Sequence, residues 1–185
     1  MSIPETYKSF RRTAGALPLT IEPATETLPT TLAADSVLVK VRAVSLNFRD
    51  VAMLHGRYIS PFAERGIPAS DMAGEVVAVG AGVLSSPFPF QPGDRVAANF
   101  FTNFFTGKET DDLGSLGGNE QGVLSEYVVF PAEMLVRLPE HLSFEEGSTL
   151  ACAGVTAWTS LNNMKGLSEK STVLLEGASS ANYHH

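Results

Sequence analysis

The stretch from Asp35 to Gly80 restricts the fold more than any other part of the chain. Val37, Val39, Val41 and Ala43 alternate with Leu38, Lys40 and Arg42, so one face is apolar and the other mixed. A period of two marks a half-buried strand. The run ends at Ser45-Leu46-Asn47. A second strand, Gly74 to Val79, is apolar almost throughout and stops at Gly80-Ala81-Gly82. Between the two lies a polar knot of Asn47, Arg49, Asp50, His55, Arg57, Tyr58, Ser70 and Asp71. Polar groups presented on loops by a rigid pair of strands are the usual construction of a site.

Around this unit the pattern is mainly β with short helices, an α+β chain. Asn47 to Leu54 reads as a short helix, with Asn47 at the N-cap and Asp50 three residues on, a loose capping box. Capping accounts for these two residues as well as a site does. Tyr7–Thr13 and Leu17–Ile21 read as strands, and Glu22–Ala34, rich in Pro, Thr and Ala, as an irregular connector. Further strands are expected at Arg95–Asn99, Gly122–Phe130 and Met134–Leu138. Phe100 to Gly118 is irregular, aromatic in front and Gly-rich behind. Ser143 and Glu146 form an S-x-x-E capping box. It opens a helix to Cys152 that breaks near Gly154 and resumes to Met164, with Leu150, Val155, Trp158 and Leu161 as its apolar stripe. Thr172–Leu175 has the character of a strand opening a parallel sheet.

Several function classes are disfavoured. The net charge is −7 and no basic stripe exists, which argues against a nucleic-acid partner. No apolar run approaches the roughly 20 residues of a membrane span, and the first residues have no apolar signal core. The single cysteine, Cys152, excludes an internal disulfide and fits a reducing compartment, so a cytoplasmic location is expected. It reads as a small buried hydrophobe.

Five blocks then fall in a fixed order: AVSLNFRD, ASDMAGEVVAVG, PGDRV, GVLSEYVV and LACAGVTAW. With them the chain resembles, from Val37 to Leu175, the N-terminal GroES-like domain of medium-chain dehydrogenases/reductases, in the zinc-free quinone-oxidoreductase-type branch. The resemblance implies a GroES-like partly open β-barrel over residues 1–140. Residues 141–185 would be a helical connector and the first strand of a Rossmann domain. It implies an NAD(P)H-dependent oxidoreductase acting on an enone, quinone or aldehyde, with a small hydrophobic molecule as partner. By position, Asn47 and Tyr58 become the catalytic pair, donating hydrogen bonds to the developing oxyanion. Thr156, with Asn47, would meet the nicotinamide. Phe48, Arg49, His55 and Asp71 would line the substrate pocket, Asp71 standing for an acidic residue behind the site. Arg49 and Asp50 are expected to pair with each other. The plainer readings are a packed loop aromatic for Tyr58, a hydroxyl bonded to its own helix for Thr156, and a helix-terminal imidazole for His55.

Zinc-dependent relatives hold the metal with a Cys, a His and a Cys or Asp. Here the first position falls at Ser45-Leu46-Asn47 and the Gly-His-Glu position reads Ala69-Ser70-Asp71, leaving Cys152 alone. Zinc requires three or four ligands, so no zinc site is expected. A dinucleotide site needs a strand, Gly-rich turn, helix and second strand, at least about 30 residues. After Gly177 only 185 − 177 = 8 residues remain, so NAD(P)H is not expected to bind this chain in the usual way. One expectation is a fragment whose redox function lies in residues elsewhere. The alternative is a stand-alone domain repurposed for non-redox cyclisation or isomerisation, or for small-molecule binding. A third is a non-functional fragment. In each, the apolar stripe over 144–164 predicts a homo-oligomer or a protein partner.

Overall fold

The computed structural model describes residues 3–109, 113–161 and 164–174. Strands β1 (Thr6–Arg12) and β2 (Ile21–Thr27) form an antiparallel pair. Strands β3 (Ser36–Ser45), β4 (Asp71–Val79), β5 (Arg95–Ala98), β6 (Tyr127–Pro131) and β7 (Leu135–Arg137) form a second sheet in the order β6-β3-β4-β5-β7. Every pairing in it is antiparallel. The two sheets are stitched together ahead of β6. Phe10 N–H donates to the Leu124 carbonyl at 3.0 Å, Glu126 N–H to the Lys8 carbonyl at 2.9 Å, and Ser9 bridges Ser125. The product is a curled half-barrel of strands with a few short helices, as the pattern predicts.

Its interior is filled by Val37, Val39, Met72, Val76, Val96 and Val123, all fully buried. Leu38 is buried as well, so the first half of β3 is covered on both faces and only its second half, at Arg42, meets solvent. The Gly80-Ala81-Gly82 turn serves packing. A Cβ on Gly80 would overlap the Ala33 carbonyl oxygen, and the Gly80 N–H donates to the Ser36 carbonyl at 2.7 Å.

The structure departs from the sequence pattern at five places. Residues 17–20, expected as strand, are irregular, and the strand begins only at Ile21. The expected connector contains β2, paired along all seven residues with β1. Pro23 sits opposite Phe10 on an edge strand, where a missing N–H is tolerated. Residues Gly122–Glu126 are not strand. The N–H groups of Gly122 and Leu124 turn instead to the carbonyls of Ile67 and Pro68. The long C-terminal helix is three pieces: α2 (Phe144–Gly147), a π-helical turn (Leu150–Gly154) and α3 (Val155–Ser160). Its capping box is formed, with Glu146 N–H on Ser143 Oγ at 3.1 Å and Ser143 N–H on Glu146 Oε2 at 2.8 Å. The break follows because the Ser148 and Thr149 hydroxyls bond back to the Glu145 and Glu146 carbonyls, at 2.8 Å each. Finally, Thr172–Leu174 form no strand, since none of the described strands offers a parallel neighbour. Leu175, residues 162 and 163, and the Gly177 turn lie outside the described residues. No helix among the described residues is long and apolar enough to cross a membrane.

Met72, buried in the half-barrel, is expected to cost about 2–5 kcal/mol of unfolding free energy when changed to Ala. Val129→Ala, on the exposed face of β6, is expected to stay within about 0.5 kcal/mol. Urea unfolding of both variants measures the contrast.

Candidate functional site

The site is organised by the end of β3 and the start of β4, where Ser45 stands opposite Asp71. Two residues beyond Ser45, Asn47 takes the N-cap position of α1 (Phe48–Leu54). Its backbone N–H donates to Asp50 Oδ2 at 2.8 Å, while Asp50 Oδ1 accepts the Ala69 N–H at 3.2 Å. Asp50 therefore caps the helix and pins the loop entering β4. The Asn47 side chain looks elsewhere and donates its amide to Asp71 Oδ2 at 3.2 Å. The Ala153 N–H approaches the same oxygen at 3.5 Å, which ties the π-helical turn to the sheet.

Asp71 is completely buried, and among the described residues neither its Oδ1 nor the neighbouring Ser70 Oγ has a hydrogen-bond partner. Burial pushes the Asp71 carboxyl above the ordinary carboxylate range, against the opposing pull of the Asn47 hydrogen bond. Half-buried Cys152 lies next to it. Its thiol is raised by burial first and by Asp71 second, while a hydrogen bond from the Thr156 hydroxyl pulls the other way. Thr156 is exposed on α3, and its hydroxyl serves Cys152. Asn47, Asp71, Cys152 and Thr156 thus form one cluster.

A second cluster grows from the other side of the same helix start. Arg49 is 7% exposed; its Nη1 donates to the Leu116 carbonyl at 2.8 Å and its Nε to the Tyr58 hydroxyl at 3.3 Å. The expected Arg49–Asp50 pair is not formed, because each residue is committed to other partners. Tyr58 lines a cleft of about 350 Å³ with Ser60, Pro61, Phe100, Phe101, Leu113, Ser115 and Asn119. Phe48 opens the helix, half-buried, and His55 is its exposed C-cap, away from both clusters.

Sequence reasoning missed three participants. Phe100 was visible only as part of an aromatic run, and Ser115 sits in a Gly-rich segment without any signal. Arg12, fully buried, donates through Nη2 to the Gly117 carbonyl and to Met53 Sδ and lies over the Phe62 ring at 5.2 Å. Burial lowers its pKa, and Asp50 works in the opposite direction.

The residues do not fit a zinc ion. Asp71 and Cys152 are two ligands where a tetrahedral site needs three or four, with Asn47 and Ser70 beside them. Among the described residues there is no group of three or more His, Cys, Asp or Glu able to hold a metal.

The chain belongs to the alcohol dehydrogenase GroES-like domain family, whose model matches residues 33–140. It is 42% identical over 147 residues to a zinc-type alcohol dehydrogenase-like protein of Schizosaccharomyces pombe, covering 78% of this chain and 41% of that one. A chloroplastic quinone oxidoreductase of Triphysaria versicolor is 39% identical over 134 residues, covering 71% and 34%. A solved structure from Sinorhizobium meliloti 1021, described as an alcohol dehydrogenase, superposes with a TM-score of 0.76 at 35% identity, covering 88% and 48%. The chain therefore spans about two-fifths of the length of these curated relatives.

The raised Asp71 carboxyl sets a pH signature. Its folded pKa lies above the unfolded value of about 3.9, so the folded state holds the proton longer. Stability should fall as pH rises from about 4 through the raised folded value and then level off. Asp71→Asn, which keeps an acceptor for the Asn47 amide, should abolish this fall; urea unfolding across pH checks it. The sole thiol, Cys152, should react with iodoacetamide at pH 8 more slowly than free cysteine, and faster again in Asp71→Asn.

Proposed function

We propose that this domain is the substrate-facing part of a zinc-independent, NAD(P)H-dependent oxidoreductase that reduces a conjugated carbonyl compound, an enone or quinone, or an aldehyde. The observation that carries the reading is the division of labour at the start of α1. Asn47 is oriented by a buried carboxyl through a 3.2 Å hydrogen bond, and Tyr58 offers a hydroxyl in a cleft walled by aromatic rings. Two donors without a metal are what stabilisation of a developing oxyanion requires. The family membership and the quinone oxidoreductase among the relatives support the substrate class.

In this reading Asn47 and Thr156, which share the Asp71–Cys152 cluster, meet the nicotinamide ring. The described residues contain no Gly-rich turn leading from a strand into a helix, so no pyrophosphate cradle belongs to them. The cofactor, when bound, supplies a hydride. The chain's own residues orient the acceptor oxygen, hold Asn47 in place through Asp71, and shield the pocket floor with Phe100 and Phe101.

A second reading, non-redox binding or isomerisation of a small hydrophobic molecule, draws on the aromatic cleft beside Tyr58. We also propose that α3 and the turn before it are covered by a second copy or another protein. Leu150, Val155 and Trp158 are 40%, 57% and 54% exposed. A monodisperse monomer in sedimentation at high concentration would count against this cover.

Two measurements separate the readings. The 185-residue chain alone is expected to give flat NADPH fluorescence titrations at micromolar concentrations. A protein carrying this domain together with a dinucleotide-binding domain is expected to bind NADPH and oxidise it with a quinone. There, Asn47→Ala and Tyr58→Phe should each lower kcat about 10-fold or more with little change in NADPH affinity. NADPH oxidation undisturbed by both substitutions would refute the redox reading.

A further inference from the structure

We infer that Arg49 is a positioning residue that fixes Tyr58 as a hydrogen-bond donor toward the cleft, so that the cleft selects flat conjugated ligands carrying a carbonyl acceptor. The inference rests on the reading of Tyr58 as the carbonyl-facing group and adds what sets its direction. The Arg49 guanidinium lies between two rings, 4.7 Å from the Phe100 centroid and 5.3 Å from that of Tyr58. Its Nη1 is anchored on the Leu116 carbonyl at 2.8 Å. Its Nε reaches the Tyr58 hydroxyl at 3.3 Å and its Nη2 reaches Ser115 Oγ at 3.4 Å.

A guanidinium has no acceptor, so in both contacts the hydroxyl oxygen must accept. The two hydroxyls then differ in where their protons go. The Ser115 proton is taken by Asn119 Oδ1 at 3.1 Å. Among the described residues no acceptor takes the Tyr58 proton, and Tyr58 lines the cleft. That proton is left for a ligand. Among the described residues no carboxylate forms an ion pair with this guanidinium, and the Asp50 oxygens bond instead to the N–H groups of Asn47 and Ala69. A cation behind a phenol polarises its O–H and favours an acceptor oxygen that gains negative charge. Phe100 and Phe101, edge to face at 4.7 Å, give the cleft flat apolar walls. Its volume of about 350 Å³ accommodates a fused two-ring ligand.

The test compares 2,3-dimethyl-1,4-naphthoquinone, whose alkene carbons are blocked against the thiol, with 2,3-dimethylnaphthalene, which has the same outline and no carbonyl. The chain should bind the quinone about 10-fold more tightly. Tyr58→Phe should erase the preference and leave naphthalene binding unchanged. Arg49→Lys, which keeps the charge and loses the fork, should cut the preference to about twofold at unchanged naphthalene affinity. Full preference in a folded Arg49→Lys variant overturns the inference, as does equal binding of both rings, or binding of neither, by the unaltered chain. Should the variant fail to fold, nitrogen-labelled arginine in the unaltered chain decides. The Arg49 Nε–H signal should be rotationally hindered and should shift with the quinone only; a freely rotating or unshifted signal overturns the inference. Dinucleotide titration is independent of these readouts, so the redox reading and the role of Arg49 can fail separately.

Discussion

The pairing of Ser45 with Asp71 places nearly everything polar in this domain. A slip of one residue would turn the buried side chains of β4 outward, and the register itself shifts twice, between Leu38 and Val39 and between Val41 and Ala43. The ladder delivers Asn47 to Asp71 and starts α1 at a fixed angle. Asn47 is the extended N-cap and Arg49 lies inside the first helical turn, and their side chains take different partners, Asp71 for one and Leu116 and Tyr58 for the other. One helix turn therefore serves two clusters. Asn47 addresses the carboxyl, thiol and hydroxyl of Asp71, Cys152 and Thr156. Arg49 addresses Tyr58 and the aromatic cleft. Asp50 lies between them and holds the turn itself.

The interior charges follow an uncommon rule for an acidic chain. Arg12 and Arg49 are both buried, and both rest on backbone carbonyls and aromatic rings, with no carboxylate ion pair among the described residues. The carbonyls belong to adjacent residues, Gly117 and Leu116. Two cations from different elements, β1 and α1, thus grip one loop from two sides. That loop carries Ser115 and closes the cleft over Tyr58. Burying a guanidinium is costly unless its donors are met. Arg49 meets this requirement with all three of its donor nitrogens bonded, whereas Arg12 leaves Nε and Nη1 without partners.

The strands were legible where a period of two matched burial, as in β3 and β4. They were obscured where chemistry and burial disagree. In β1 it is Ser9 and Arg12 that are buried while Phe10 is 42% exposed, an inversion that no hydropathy pattern reports. The connector concealed β2 because Pro and Thr read as loop, although an edge strand accepts both. The gathering of Asn47, Tyr58 and Asp71 around the ends of β3 and β4 was readable from their place between the strands. The partition of Arg49 from Asp50 was not, because neighbours in sequence diverge on a helix. Ser115 and Arg12 reach the site through contacts separated by 66 and 105 residues, a separation that local reasoning does not bridge.

Asp71 and Cys152 set the electrostatics of the cluster around Asn47. Burial drives both pKa values up; Asp71 adds to the rise at Cys152, and Asp50 adds to that at Asp71. Among the described residues the Asp71 Oδ1 has no hydrogen-bond partner, while Oδ2 accepts from Asn47. The upward shift disfavours a buried negative charge beside the Asn47 amide. In the other cluster the Arg49 cation stands behind Tyr58. A buried negative charge is thus disfavoured behind Asn47, and a positive charge backs Tyr58.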